Sequence, residues 1–270
     1  ITDDTMESVI ICNVLLENGG FSEAAFNNAM KQWAIEQKML ESTVIGPSTR
    51  RYLTALIEGR DPKETSGAGN TNGSAMRVAP IGVKYHYDMA KCLEAAAASS
   101  LPSHGSRPAV AAACAVAAAV SAGVHGGYSV NEVLNAAYEG ALYGEARGAE
   151  ITAPSVAKRI RVVERIVDEA GDAGIRAILD EIVGVLGASM FAYESVPLAL
   201  GAFYAVKGNG RDGVLAAINA GDDADTNGAI CGNICGAYSG ASAFPDIWKD
   251  RVQKTSCLDM KSMAEKLIAK

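Results

Sequence analysis

Apolar residues recur every three to four positions along most of the chain, which is the spacing of one face of an α-helix. The clearest case is the stretch 155–170, where Val156, Ile160 and Val163 share an inner stripe and basic residues occupy the opposite side. Sustained alternation of apolar and polar residues, which would indicate strands, does not occur, and no internal repeat is found. We therefore predict an all-α fold, a compact single-domain bundle of roughly a dozen helices over residues 1–270.

Polar stretches rich in glycine and proline divide this pattern into separate helices. Three of them are polar loops, at residues 41–48, 58–72 and 100–108. Pro80 is expected to break or bend its helix, and Pro197 is expected in the first turn of another. The predicted helices span residues 3–17, 21–37, 48–57, 73–85, 88–99, 109–122, 130–147, 155–170, 175–185, 195–206, 211–219 and 229–238, followed by one or two surface helices in 245–270.

Composition places the chain among globular proteins, with 49% hydrophobic and 20% charged residues. The net charge of -7 argues against a nucleic-acid-binding surface. The longest apolar run, Ala109–Val120, is mostly alanine, and we expect it to be too short and too weakly hydrophobic to span a bilayer. Neither nucleic acid nor a membrane is therefore an expected partner, and the sequence does not decide the oligomeric state.

The six cysteines are scattered, mostly inside apolar helical runs. Cys231 and Cys235 lie four positions apart on one helix, but no second Cys or His pair has the spacing of a zinc site. Buried, reduced cysteines are typical of a cytoplasmic protein, and no signal-peptide pattern is found. We therefore expect a cytoplasmic localisation.

Two acidic clusters stand out because each opens an apolar helix. They lie in Ile1–Thr5 and in Gly221–Thr226, near opposite ends of the chain. Several carboxylates this close together would raise one another's pKa unless a cation compensates them. Helix N-termini supply part of the positive potential, and Mg²⁺ or a similar hard cation prefers carboxylate and hydroxyl oxygens. The pattern predicts one oxygen-rich metal site closed by both ends of the chain, although either cluster alone also fits an ordinary helix start.

Two of the polar loops carry candidate ligand-binding residues. Gly67–Gly73 leads straight into a helix, which is how backbone amides are offered to a phosphate. It lacks the lysine of a P-loop and follows no strand, so a flexible surface turn is the alternative. His104, flanked by Ser103 and Arg107, has the chemistry to stack on a base or hold a phosphate, and otherwise is an ordinary loop histidine.

Five segments together resemble the motifs of the ADP-ribosylglycohydrolase family. They occur in the family's order and cover nearly the whole chain: Ile1–Thr5, Asn72–Arg77, Ser103–His104, Val196–Leu200 and Gly221–Thr226. The two acidic motifs are specific to the family, and the Asn-Gly and His loops are moderately so. The resemblance implies an all-α fold and a dinuclear Mg²⁺ centre, with Mn²⁺ as an alternative cation.

The resemblance also assigns roles to individual residues. The matching metal ligands are Thr2, Asp3, Asp4, Asp223, Asp225 and Thr226. The matching substrate-binding residues, which would face an ADP-ribose, are Asn72, Gly73, Ser74, His104, Gly105 and Ser106.

The chain departs from the family pattern at several positions. Ser103 stands where the family commonly has threonine, and Asp222 stands where it has glycine. The family also has an acidic segment well upstream of its first metal motif, so the N-terminal part of the family domain is expected before Ile1. The stretches Gly46–Arg50 and Gly69–Gly73 are more similar to a bacterial branch with small nucleoside-type substrates, which favours glycosidic chemistry over a protein substrate.

The expected function is a metal-dependent hydrolase that cleaves the glycosidic bond of an ADP-ribosylated substrate, either a protein or a small ADP-ribose conjugate. Asp3 or Asp4 is the predicted general base, because one carboxylate of such a pair can bind metal while its neighbour faces the attacking water. An acid upstream of the chain is the alternative base. The competing functions are a ribosyl-nucleoside or metabolite N-glycosidase on the same fold, and a non-catalytic relative, either crystallin-like or an ADP-ribose-binding module.

Overall fold

A computed structural model describes residues 1–269, and within them it contains only helices, turns and two isolated bridges. The prediction of an all-α fold is therefore confirmed, with 71% of the described structure helical. A short 3-10 helix lies at Ala241–Ala243. The α-helices are α1 Asp3–Asn18, α2 Glu23–Glu36, α3 Pro47–Ile57, α4 Lys63–Ser66, α5 Gly73–Met76, α6 Ala79–Lys84, α7 Met89–Ser100, α8 Arg107–His125, α9 Val130–Glu145, α10 Val156–Glu169, α11 Ile175–Leu186, α12 Ala192–Ala205, α13 Gly210–Asn219, α14 Ala224–Ser239, α15 Asp246–Ser256 and α16 Met260–Ile268.

Of the two proline expectations, the break at Pro80 is confirmed, and the placement of Pro197 in a first turn was wrong. The predicted helix 73–85 is interrupted between α5 and α6, before Pro80, which lies in the first turn of α6 where its missing N–H breaks no hydrogen bond. Pro197 lies inside α12 and not in its first turn. It cannot donate to the carbonyl of Tyr193, one turn earlier, and Arg159 donates to that carbonyl instead, at 2.9 Å.

The alanine-rich helix α8 is the centre of the core, and it packs most extensively against α9. It extends over Arg107–His125, so the expectation that its apolar run is too short for a bilayer was wrong on length and composition. Its burial is that of a core helix, because 89% of its apolar segment is covered by the rest of the protein. Small residues allow the close approach: a Cβ atom on Gly144 would lie 2.6 Å from the Cα atom of Ala111.

A buried ion pair connects α1 to the break between α5 and α6. Arg77 Nη1 donates to Glu7 Oε2 at 2.6 Å, and both side chains are 0% exposed. The Nη2 group of Arg77 donates to the Ser99 carbonyl at 3.0 Å and to Ser103 Oγ at 2.7 Å. The guanidinium also lies 4.9 Å from the ring centroid of Phe26. The helix that carries the first acidic cluster is thereby joined to the loop that carries His104.

The close packing of α8 and α9 predicts opposite effects for two glycine-to-alanine substitutions. Gly144→Ala should lower the free energy of unfolding by about 1–3 kcal/mol, because the added methyl group forces the two helices apart. Gly184→Ala, in the exposed part of α11 where an added Cβ meets nothing, should raise it by about 0.5–1 kcal/mol. Chemical denaturation of both variants measures the difference, and equal effects would contradict the packing.

The buried ion pair predicts a large penalty for removing one partner. Arg77→Met should cost about 3–5 kcal/mol of unfolding free energy, because Glu7 is left as an uncompensated charge in the core. The exposed pair of Arg60 with Glu58 is the matched control, and Arg60→Met should cost about 0–1 kcal/mol. Adding Glu7→Gln to Arg77→Met should restore part of the loss, and a further loss in the double variant would contradict the assignment.

Candidate metal and substrate site

Both acidic clusters lie at helix N-termini, as the sequence predicts. Thr2 precedes α1, with Asp3 and Asp4 as its first residues, and Asp223 precedes α14, with Asp225 in its first turn. Acidic residues are favoured at such positions, because the free N–H groups and the positive end of the helix dipole lie there. The Thr2 hydroxyl donates to Asp4 Oδ2 at 2.8 Å, so the first cluster is already organised around Asp4.

The fold brings the two clusters together. Burial raises the pKa of Asp3 to about 7, and the negative charges of Glu7, Asp4 and Asp225 add to this rise. Burial also raises the pKa of Asp4, and Asp225, from the other end of the chain, raises it further. Each carboxylate therefore makes the charged form of its neighbours less favourable. Such a group needs positive charge to remain ionised.

Asp223 belongs to the same electrostatic group. Burial raises its pKa, an Asn72 hydrogen bond opposes this, and the charges of Asp225 and Asp4 raise it again. The Thr226 hydroxyl lowers the pKa of both Asp4 and Asp223, so it lies between the two clusters. The structure therefore brings the predicted metal ligands of the two clusters into one region.

One orphaned atom indicates that a cation fits these residues. Asp4 is only 4% exposed, and its Oδ1 atom has no hydrogen-bond partner. A buried carboxylate oxygen without a partner is costly, and a divalent cation would compensate it. Among residues 1–269, no three Asp, Glu, His or Cys side chains by themselves form a metal-binding group. Threonine hydroxyls and water would have to complete the coordination, which suits Mg²⁺ because it commonly retains several waters.

Asn72, predicted to bind substrate, is a direct partner of an acidic residue. Its backbone N–H donates to the Met190 carbonyl at 2.9 Å, and the N–H of Ala192 donates to the Asn70 carbonyl at 3.0 Å. The two segments are thereby fastened side by side at the start of α12. From this position the Asn72 side chain donates through Nδ2 to Asp223 Oδ2, at 2.6 Å. Sequence reasoning missed this role, since the two residues are 151 positions apart.

His104 lies inside the protein, directly behind this turn. Its ring is 0% exposed, with Nδ1 2.8 Å from Ser103 Oγ and Nε2 3.2 Å from Thr71 Oγ1. Burial lowers its pKa, so the ring is neutral at physiological pH. Gly73 packs against it, and a Cβ atom there would lie 2.8 Å from Nε2. Both ring nitrogens have protein partners, and stacking on a ligand stays a prediction.

The other predicted substrate-binding residues are also buried. Ser74 Oγ lies 3.4 Å from the Ala109 carbonyl, and Ser106 Oγ donates to the Gly69 carbonyl at 2.6 Å. Gly105 packs against Ser66, which leaves no room for a side chain. These residues give the two polar loops a fixed shape, and their contact with substrate stays a prediction.

A cavity of about 310 Å³ lies between α1, α6, α14 and α16, and Asp4 is the predicted metal ligand that contributes to its wall. Met76, Met263 and Leu267 contribute apolar surface to the same wall. A larger cavity of about 550 Å³ lies between α11 and α13, with none of the predicted site residues in its wall. Of these two cavities, the smaller one therefore reaches a residue of the acidic clusters.

The chain is similar to known proteins over nearly its whole length. The chain is 30% identical to an uncharacterized protein of Archaeoglobus fulgidus, over 96% of this chain and 77% of that protein. It is 28% identical to the uncharacterized protein YegU of Escherichia coli K12, over 98% of this chain and 79% of that protein. It is 26% identical to the ADP-ribosylarginine hydrolase Tri1 of Pseudomonas putida, over 93% of this chain and 62% of that protein.

The fold has a counterpart among solved structures, in an ADP-ribosylglycohydrolase-related protein complex. The two chains superpose with a TM-score of 0.70 at 24% identity, over 99% of this chain and 80% of the other. The sequence model of the family described as ADP-ribosylglycohydrolase matches residues 1–270. The all-helical fold, the two converging acidic clusters and this full-length match place the chain in the ADP-ribosylglycohydrolase family.

Proposed function

We propose that this protein is a metal-dependent hydrolase that cleaves the glycosidic bond of an ADP-ribosylated substrate. Its family indicates a hydrolase of the ADP-ribosylglycohydrolase type. The observation that carries the finer proposal is the convergence of the Asp3–Asp4 and Asp223–Asp225 clusters around an unpartnered oxygen of Asp4. The substrate is either an ADP-ribosylated protein or a small ADP-ribose conjugate.

The proposed cofactor is a pair of Mg²⁺ ions, with Mn²⁺ as an alternative. When bound, divalent cations would orient the ribose hydroxyls and stabilise the leaving group as Lewis acids. The residues proposed to hold them are Thr2, Asp3, Asp4, Asp223, Asp225 and Thr226.

Side chains of the protein itself accept the proton and position the carboxylates. Asp3 and Asp4 are adjacent carboxylates at one helix start, so one can serve the cations while the other accepts a proton from the attacking water. The Thr2 hydroxyl holds Asp4, and the Asn72 amide holds Asp223, so neither carboxylate has to be ordered during the reaction. His104 is neutral and buried, and we propose that it supports the turn at Thr71 and Asn72 from behind.

Loss of one proposed ligand charge should weaken metal binding. Asp225→Asn keeps the shape of the side chain but removes a charge that acts on three neighbouring carboxylates, so Mg²⁺ affinity should fall about tenfold or more. Asp222→Asn is the matched control, because Asp222 is exposed and asparagine tolerates its left-handed backbone. Isothermal calorimetry should find the control unchanged, and equal affinity in both variants would refute the ligand assignment.

The activity is tested by a screen of ADP-ribosyl conjugates with and without Mg²⁺, read by mass spectrometry. ADP-ribosyl-arginine comes first, because the Pseudomonas relative is an ADP-ribosylarginine hydrolase. ADP-ribosyl-serine, O-acetyl-ADP-ribose and free nucleosides complete the panel. Release of ADP-ribose should require the cation and should fall about 100-fold or more in Asp225→Asn, since removal of a functional group at the reacting centre has effects of this size. Cleavage of nucleosides alone would replace the proposal with a nucleoside N-glycosidase.

A further inference from the structure

A chain of buried hydrogen bonds leads from the backbone of Ala188 to the acidic cluster. Asn227 Nδ2 donates to the Ala188 carbonyl at 2.9 Å, and Ser195 Oγ donates to Asn227 Oδ1 at 2.7 Å. Asn72 Nδ2 then donates to Ser195 Oγ at 3.0 Å and to Asp223 Oδ2 at 2.6 Å. Ser195 and Asn227 are each 0% exposed, so water does not compete for these bonds.

The hydrogen bond to the Ala188 carbonyl determines which group donates and which accepts in every other hydrogen bond of this series. A backbone carbonyl can only accept, so the amino group of Asn227 must face Ala188 and its Oδ1 atom must face Ser195. The single hydroxyl proton of Ser195 is used on that oxygen, so the hydroxyl presents a lone pair to Asn72. The Asn72 side chain consequently presents its amino group, and not its carbonyl, to the carboxylate of Asp223.

We infer that Ser195 and Asn227 are positioning residues for Asp223, and that they act through the amide of Asn72. The inference rests on the proposed function in so far as Asp223 is a metal ligand. With one oxygen held by Asn72, the carboxylate of Asp223 is restrained before any cation arrives. A flipped Asn72 amide would instead point a carbonyl oxygen at a carboxylate and push it away.

This series of hydrogen bonds connects three structural elements. It therefore positions their side chains relative to one another and does not merely fill space. Asn72 precedes α5, Ser195 lies in the first turns of α12, and Asn227 lies in the first turn of α14. The Ala188 carbonyl also accepts a hydrogen bond from the backbone N–H of Asp223, at 3.3 Å. The same carbonyl therefore contacts both the first side chain of the series, Asn227, and the last residue, Asp223. Residues of this kind, one contact away from a metal ligand, set how well that ligand is oriented.

Metal titration is the first test. Ser195→Ala should weaken Mn²⁺ binding about tenfold or more in calorimetry, because the Asn72 amide loses the acceptor that orients it. Ser195→Thr keeps the hydroxyl and should recover affinity. Ser121→Ala is the matched control, because it deletes an equally buried hydroxyl that contacts Tyr85 and not the acids. Parent-like Mn²⁺ affinity in a folded Ser195→Ala variant would overturn the inference.

The second test does not depend on any metal. In the metal-free parent, the side-chain amide protons of Asn72, assigned by nuclear magnetic resonance with Asn72→Asp, should exchange with water about tenfold or more slowly than those of exposed Asn28. Ser195→Ala should remove this protection, and Ser121→Ala should retain it. Fast exchange in the parent would overturn the inference, even if Ser195→Ala cannot be purified.

The two readouts separate the inference from the proposed function. A parent protein that binds no divalent cation would refute the metal-dependent hydrolase, while the exchange of the Asn72 amide would still decide the positioning role. A parent that binds Mn²⁺, with an unprotected Asn72 amide, would leave the proposed function standing and refute the positioning role.

Discussion

The buried ion pair of Arg77 with Glu7 constrains the parts of the structure that carry the candidate site. Both side chains are completely removed from solvent, and removal of either would leave an unpaired charge in the core. The pair holds α1, which begins with Asp3 and Asp4, against the break after α5. Arg77 also donates to Ser103, which contacts the ring of His104. The position of the first acidic cluster is therefore tied to the shape of the loops that are predicted to bind substrate.

Neutral groups hold the carboxylates of both acidic clusters: the Thr2 hydroxyl donates to Asp4, and the Asn72 amide donates to Asp223. Asp223 already lies near Asp4 and Asp225, so a cationic side chain beside it would compete with a metal ion for the same carboxylates. An amide provides a hydrogen bond without a net charge, and Asn72 donates one to Asp223. The carboxylates thus remain short of positive charge, which is the electrostatic condition under which the proposed cations would be bound.

The rigid centre beneath these groups is α8, whose small residues let neighbouring helices approach closely. Such a closely packed core leaves little free space, so the loops at its end are fixed by packing as much as by their own hydrogen bonds. Membership of the ADP-ribosylglycohydrolase family accounts for the all-helical scaffold and the order of its motifs. Within that scaffold, the identity of the cleaved substrate depends on the loops, which vary more freely than the helices that carry them.

The helical fold, the acidic helix starts and the family could be predicted from the sequence, because helical periodicity and short motifs are local properties. The motifs locate Asp3, Asp4, Asp223 and Asp225, but the proximity that raises the pKa of Asp3, Asp4 and Asp223 arises from tertiary packing. The burial of His104 and the bond from Asn72 to Asp223 also had no local signal. Asn72 and Asp223 are 151 positions apart, and Arg77 and Glu7 are 70 positions apart. Contacts over such distances arise when helices pack, and no residue pattern within one helix encodes which distant partner its polar side chains will meet.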